Sequence, residues 1–382
     1  MALPLRHPNP ERFDSRSSDE REQLRSMARR FLTDHYDEFS VRSLMESESG
    51  HDDIIWRRLA QETGLAGLLI PEAYGGSELL TSDLQVVLEE MGSVLYSGPF
   101  MSTAVMAVVA LLESGDQAAQ AKLLPRIAEG KLLVALAVEE PGSESINSGD
   151  LKTTAQRSDN GFLLSGTKQP VIDGGSANYV LVFAQSDEGV CLFLVDAKDI
   201  ESSVLPPMDQ TRKLARLRLD KTPATLVGNP GEGARLIERV TDRVVTALAA
   251  EQLGGAQRCL EMAVEYAKSR YQFGRAIGSF QAVKHKCTDI LLEIEAARSA
   301  VFYASLCADQ KPDELPVAAC MAKSQCSQAF RNASSVCLQV HGGIGFTWEH
   351  SCHLYLKRAK SSEVLFGDPL HYRQRLSKLL QL

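Results

Sequence analysis

Residues 269–285 read SRYQFGRAIGSFQAVKH. The stretch divides two long helical patterns, Ala234–Tyr271 and Val283–Ala308. Read residue by residue, it predicts a helix ending at Gly274, a basic turn carrying Arg270 and Arg275, and a restart near Gln281. Arginine suits bidentate contact with phosphate, and a glycine turn lets a backbone come close to a ligand. A plain corner between helices with a solvated basic face is the other reading, and taken alone the segment favours it. A third helical pattern follows at Leu315–His341 and ends in QVHGGIGFTWEH, residues 339–350. The lengths suit a helical bundle.

Upstream the signal changes. Val134–Val138, Gly161–Ser165, Tyr179–Gln185, Val190–Asp196 and Ala215–Leu219 are short runs rich in β formers. Asp159-Asn160-Gly161 and Asp187-Glu188-Gly189 are hairpin turn signals. Strands inserted between helical regions predict an antiparallel β domain and argue against alternating βαβ units. Further upstream, helical patterns run over Asp19–His35, Asp52–Gly64, Thr81–Gly92, Phe100–Ser114 and Gln117–Gly130. The fold class expected is therefore α+β: an N-terminal helical domain (1–130), a middle antiparallel β domain (131–232) and a C-terminal four-helix bundle (233–382).

Composition removes other classes. The 382 residues carry 41 Lys and Arg against 49 Asp and Glu, a net charge of −8, which disfavours a nucleic-acid footprint. The eight cysteines (Cys191, Cys259, Cys287, Cys307, Cys320, Cys326, Cys337 and Cys352) contain no CxxC pair. Neither a disulfide framework nor a zinc site is expected, and no metal is predicted. No run reaches the apolar length of a membrane span, and the first residues lack the apolar stretch of a secretory signal. A soluble cytoplasmic protein is expected. Fingerprints for a Rossmann or P-loop nucleotide site, HExxH and GxSxG are absent from the sequence.

The two C-terminal segments, in this order and spacing, resemble the acyl-CoA dehydrogenase family of flavoproteins. So do GLAGLLIPEAYGG (64–76), VALAVEEPGSES (134–145), GTKQPVIDGGSANYVLVFAQS (166–186) and QVHGGIGFTWEHSCHLYLKRAK (339–360). The resemblance implies FAD between the β domain and the bundle, its adenine end reaching across a subunit interface. It implies cofactor contacts from Arg270, Phe273 and Gln281, and from Gln339, Gly342 and Gly343, to the flavin nucleotide of a neighbouring subunit. It implies an acyl-CoA substrate, desaturated at Cα–Cβ with hydride passing to flavin N5, and an electron-transfer flavoprotein as acceptor. Such chemistry needs a base in a dry pocket and donors for the developing enolate.

Departures from the family pattern carry as much information. The usual base is a Glu before a glycine, but in KRAKSSEVLFGDPLH that position is Phe366, followed by Gly367. Some members carry the base on a bundle helix before an Arg, which makes Asp242 of the Asp242-Arg243 pair a candidate base. An exposed or Arg-paired Asp in the first turn of a helix is the other reading. Arg243 and Gly367 are the substrate-side expectations. Pro170 and Ile172 stand where the family often has Trp-x-Thr against the flavin, and Glu139 stands where it has a Thr before Glu-Pro-Gly. Two enzymatic readings follow: a self-sufficient homo-oligomer using Asp242, or one subunit of a heteromeric enzyme completing a partner's FAD site. A non-catalytic scaffold is the third.

Overall fold

The computed structural model describes residues 18–142, 151–159 and 161–382. Ser143 to Ser145 and Asn160 lie outside the described residues.

The N-terminal region comprises α1 (Ser18–His35), α2 (Glu38–Glu46), α3 (Asp53–Thr63), α4 (Thr81–Ser93), α5 (Val108–Ser114) and α6 (Gln117–Ala128). Caps set several boundaries. Asp52 accepts the backbone N–H groups of Ile54 and Ile55, and Gly64 closes α3 at φ +71°. The expected helix from Phe100 is a π-helix over Phe100–Ala107 that narrows into α5. Helix α2 has no counterpart in the sequence reading. Only Val41 and Met45 of its nine residues are buried, so its periodicity is faint.

Strands follow: β1 (Val134–Ala137), β2 (Thr154–Ser158), β3 (Gly161–Ile172), β4 (Tyr179–Ser186), β5 (Gly189–Asp196), β6 (Glu201–Leu205) and β7 (Leu214–Val227). Pairing runs β4–β2–β3–β7–β5 and returns to β4, so the sheet closes into a barrel. Both expected hairpins form, β2–β3 at Ser158 with Gly161 and β4–β5 at Ser186 with Gly189. The purely antiparallel expectation needs correction, because β1 pairs parallel with β4 in register Val134 to Tyr179. Strands β2 and β6 were missed because their side chains are mostly exposed and show no apolar alternation.

The C-terminal bundle is α7 (Gly233–Ser269), α8 (Gln281–Gln310), α9 (Leu315–His341), α10 (Cys352–Val364) and α11 (Pro369–Leu380). Helix α7 stops at Ser269, short of the expected Gly274. Residues 271–276 form a small hairpin of β8 (Tyr271–Gln272) and β9 (Arg275–Ala276). Helices α4 and α7 cross with their backbones in contact. A Cβ on Gly92 would lie 1.9 Å from the Glu251 carbonyl oxygen, and one on Gly254 would lie 1.8 Å from that of Glu89.

A buried ionic cluster joins the three regions. Arg358 of α10 donates to Asp209 (2.8 Å), Glu251 of α7 (2.7 Å), Thr211 O (3.0 Å) and the Tyr96 carbonyl beyond α4 (3.1 Å). Arg212 also bonds Glu251. Such a cluster adds little net stability against a hydrophobic substitute, but removing one member leaves a buried charge unpaired. It therefore fixes how bundle, barrel and N-terminal helices meet.

Candidate active site and cofactor face

At the seam between barrel and bundle, three elements converge. Glu139 follows β1, Phe366 lies in the turn between α10 and α11, and Lys323 comes from α9. Burial pushes the Glu139 carboxyl up to about 7, and the Phe366 backbone amide and the Lys323 charge act against that rise. Phe366 is 5% exposed and held at φ +61°, a left-handed conformation unusual for a bulky residue. Its carbonyl accepts the Tyr372 hydroxyl at 2.7 Å, and Tyr372 is itself buried. Gly367 follows at φ +109°, packed so that a Cβ would lie 2.8 Å from the His371 ring.

Lys323 is fully buried and caps the C-terminus of α10, donating to the carbonyls of Ser362 (2.7 Å) and Glu363 (3.0 Å) and to Ser327 Oγ (3.1 Å). Burial lowers its pKa to about 7. The neighbouring carboxylate, Glu140, has a different fate. It accepts Lys168 Nζ at 2.7 Å and the N–H groups of Lys152 (2.7 Å) and Thr153 (3.0 Å). Burial would raise its pKa, but these partners hold it below the usual carboxylate value. Glu140 is thus committed to the barrel, while Glu139 faces the seam.

Ile172, at the flavin-side position of the barrel, is 4% exposed. Beside it the space narrows to a cavity of about 10 Å³ lined with Asp173, Phe100 and Arg212, room for at most one water. Asp173 accepts the Ser102 hydroxyl at 2.6 Å, and burial raises its pKa to about 6.

Asp242 is the tenth residue of α7, well past the first turn in which it was expected, 3% exposed, with both carboxylate oxygens on the guanidinium of Arg375 from α11. This is the Arg-paired arrangement of the two open readings, and the partner is remote in sequence. Arg243 takes a separate path. Its Nε bonds Glu113 at 2.7 Å, and the pair borders a cavity of about 380 Å³ walled by Leu69, Leu79, Leu84 and Val109. Gly367 does not border this cavity. The structure therefore does not unite Asp242, Arg243 and Gly367 around one cavity.

The cofactor expectations behave differently. Arg270, Phe273, Gln281, Gln339, Gly342 and Gly343 are all exposed, at one end of the bundle. Lys286 of α8 donates to Gln339 Oε1 at 2.8 Å, and Tyr266 of α7 stacks on His341 at 4.3 Å, so the two segments form one face. Phe273 and Gly274 occupy the tip of the β8–β9 hairpin at φ +52° and +78°. Positive φ at both positions matches a type I′ turn, which favours Asn and Gly. A Phe there is strained, yet its ring is 91% exposed. Arg275 lies over Phe280, 4.1 Å from its ring centre. A Cβ at Gly342 or Gly343 would meet nothing within 4 Å.

These observations test the fit of a flavin nucleotide. The face formed by Arg270, Gln281, Gln339 and the Gly342-Gly343 backbone fits the polar, anionic end of FAD, where guanidinium and open backbone N–H groups recognise phosphate. The seam does not fit the ring, because Ile172 and Phe366 fill it and a carboxyl replaces a neutral donor.

Fold and site define a three-domain scaffold in which a β barrel and a helical bundle face each other across a buried seam. The acyl-CoA dehydrogenase N-terminal domain family matches residues 18–131, and the C-terminal domain family matches residues 231–369. The chain is 34% identical to the acyl-CoA dehydrogenase IpdE2 of Mycobacterium tuberculosis over 358 residues, 94% of this chain and 96% of that protein. It is 35% identical over 321 residues to FadE34 of the same organism, covering 83% of this chain and 41% of that one. Among solved structures it matches a variant of the Tcur3481–Tcur3483 steroid ACAD, with TM-score 0.87, 34% identity, and 95% and 98% of the two chains covered. It also matches the ChsE4–ChsE5 complex of M. tuberculosis, with TM-score 0.86, 25% identity and coverages of 96% and 99%. The chain belongs to the acyl-CoA dehydrogenase family, whose members are flavoprotein oxidoreductases. No helix among the described residues is long and apolar enough to cross a membrane.

Sequence reasoning missed Lys323 and Arg375. Neither has a local signal. Lys323 looks like one polar residue on an apolar helix, and its role depends on where α10 ends.

Proposed function

We propose that this chain is one subunit of a heteromeric acyl-CoA dehydrogenase, and that it completes an FAD site whose flavin ring is held by a related chain. In this reading Arg270, Gln281, Gln339, Gly342 and Gly343 bind the nucleotide end, and Phe273 inserts against the partner. The complex desaturates an acyl-CoA thioester and passes electrons to an electron-transfer flavoprotein. The observation that carries the proposal is an asymmetry. Every cofactor-face residue is exposed, while the position of the usual base is a buried Phe366. FAD, when bound, supplies the redox chemistry. This chain's residues bind its phosphates and exclude water at the interface.

Asp242 serves in this reading as the anchor of Arg375. Two solved relatives are two-chain assemblies by name, and one is named a steroid enzyme. That supports a bulky, polycyclic acyl group as the substrate class.

The test is a visible spectrum of the protein expressed alone and with a related chain. Flavin absorption only on co-expression is expected. Stoichiometric flavin in the chain alone would overturn the proposal.

A further inference from the structure

Helices α8 and α9 run antiparallel up to the cofactor face, and two polar pairs tie them together. Asn332 of α9 donates through Nδ2 to both carboxylate oxygens of Glu293 of α8, at 2.9 Å each. Two helical turns nearer the hairpin on each helix stand Lys286 and Gln339, with Lys286 Nζ 2.8 Å from Gln339 Oε1. Both pairs set an amide of α9 against a charged group of α8, and the sign of the charge is reversed between them. A carboxylate only accepts hydrogen bonds, so it takes the amide NH2 of Asn332. An ammonium only donates, so it takes the amide oxygen of Gln339 and leaves the NH2 for another acceptor. Gln339 itself is exposed.

We propose that Lys286 is a positioning residue of the nucleotide face: it holds the Gln339 amide so that its N–H groups meet the phosphoryl oxygens of the bound nucleotide. This rests on that face binding the nucleotide end of FAD, as proposed above. Phosphoryl oxygens accept hydrogen bonds, and the Arg270 guanidinium can only donate them. With its oxygen held by Lys286, Gln339 offers the same polarity as Arg270. An amide free to rotate could equally turn its oxygen to the phosphates, where the lone pairs would repel. The charges of α8 point the same way. Its first turn has no acidic residue, although the helix dipole favours one there. Lys284 and Lys286 stand in its first two turns instead, where the dipole disfavours cations. A bound anion would offset that cost, and local rules are broken in this way at functional positions.

The Lys286–Gln339 pair is solvent-exposed in the single chain, so it contributes little to folding. Covered by a nucleotide and a partner chain it leaves water, and the same hydrogen bond strengthens. Its effect therefore falls on flavin affinity and not on the stability of the fold.

The experiment is a double-mutant cycle on FAD affinity in the full chain co-expressed with its related chain, read by fluorescence titration of released FAD. Lys286→Met should weaken FAD affinity about fivefold, and Gln339→Ala about tenfold. With Gln339→Ala already present, Lys286→Met should add less than about a twofold loss. Lys286→Arg, whose guanidinium also only donates, should restore affinity to within about twofold of the wild type. Glu293→Gln, on the same helix pair but away from the face, should leave affinity unchanged, and the urea midpoint should not move for Lys286→Met. Unchanged affinity in Lys286→Met would overturn the proposal. So would an equal loss in the Gln339→Ala background, which would make Lys286 a charge acting by itself. So would a loss of the same size in Glu293→Gln, which would make helix pairing the cause. Stoichiometric flavin in the chain alone would sink the heteromeric reading, while the same cycle, run in that assembly, would still decide the role of Lys286.

Discussion

The hairpin end of the bundle and the seam between bundle and barrel differ in the direction their side chains face. At the hairpin end, Phe273 is 91% exposed and Gly342 and Gly343 are open. At the seam end, Phe366 is 5% exposed and Ile172 4%. Both ends contain a large residue at positive φ, and strain of that kind persists only where the surroundings hold it. At Phe366 the holding group is in this chain: the Tyr372 hydroxyl on its carbonyl. At Phe273 the ring meets Phe280 edge to face, at 6.1 Å between centres. One end is closed by its own chain, and the other is the end that the proposed function gives to a partner chain.

The comparison is broken most directly at Phe366. If it is core, Phe366→Ala should cost about 3–5 kcal/mol, read as a shift in the urea midpoint of unfolding. A loss under about 1 kcal/mol, together with flavin retention by the isolated chain, would mean that the seam is a vacated site. The next largest effect is at Asp242. Removing one partner of a buried pair costs about 3–5 kcal/mol, and about 2 kcal/mol is expected for Asp242→Asn because Arg375 is partly exposed. Turnover of the assembled complex should not change. A fall of about 100-fold or more in turnover, with stability intact, would restore Asp242 as a general base.

The outward end is sharpened by Arg270→Ala in the complex. Loss of a charge-assisted contact should weaken flavin retention about tenfold, or roughly 1.4 kcal/mol, without moving the unfolding midpoint. A fluorescence titration of released FAD checks it. An equal loss of stability would mean that Arg270 serves the fold.

How far these features were legible differs in the same way. The helix–barrel–helix plan was readable because long periodic segments and hairpin turns are local signals. The exposed face was readable too, as it occupies two contiguous motifs. Phe366 could be seen as a departure from the motif, but its burial could not, since that depends on Tyr372 and Glu139 arriving from separate elements. Asp242 showed its two options but not its partner, 133 residues away. The edge strands β2 and β6 and the parallel β1–β4 pair were silent because exposed polar strands and pairing direction leave no periodic trace.

The smallest effect is the most diagnostic of the seam. Glu139 has an ordinary carboxyl value of 4.5 and is pushed up to about 7 by burial in the folded chain. Between those values the folded state binds more protons than the unfolded one, so stability falls as pH rises from about 4.5 to 7 and then levels. Lys323, the charge facing it from α9, has the opposite sign. Its value is lowered to about 7 by burial, so its contribution recovers only above that pH. Glu139→Gln should therefore remove the falling arm and leave the rise above pH 7. Because the residue is partly exposed, the gain at pH 8 should be about 1 kcal/mol, less than full burial would give. Urea titrations at a series of pH values check it. An unchanged falling arm would mean that water reaches this carboxylate, and hence that the seam is open enough to receive a ring.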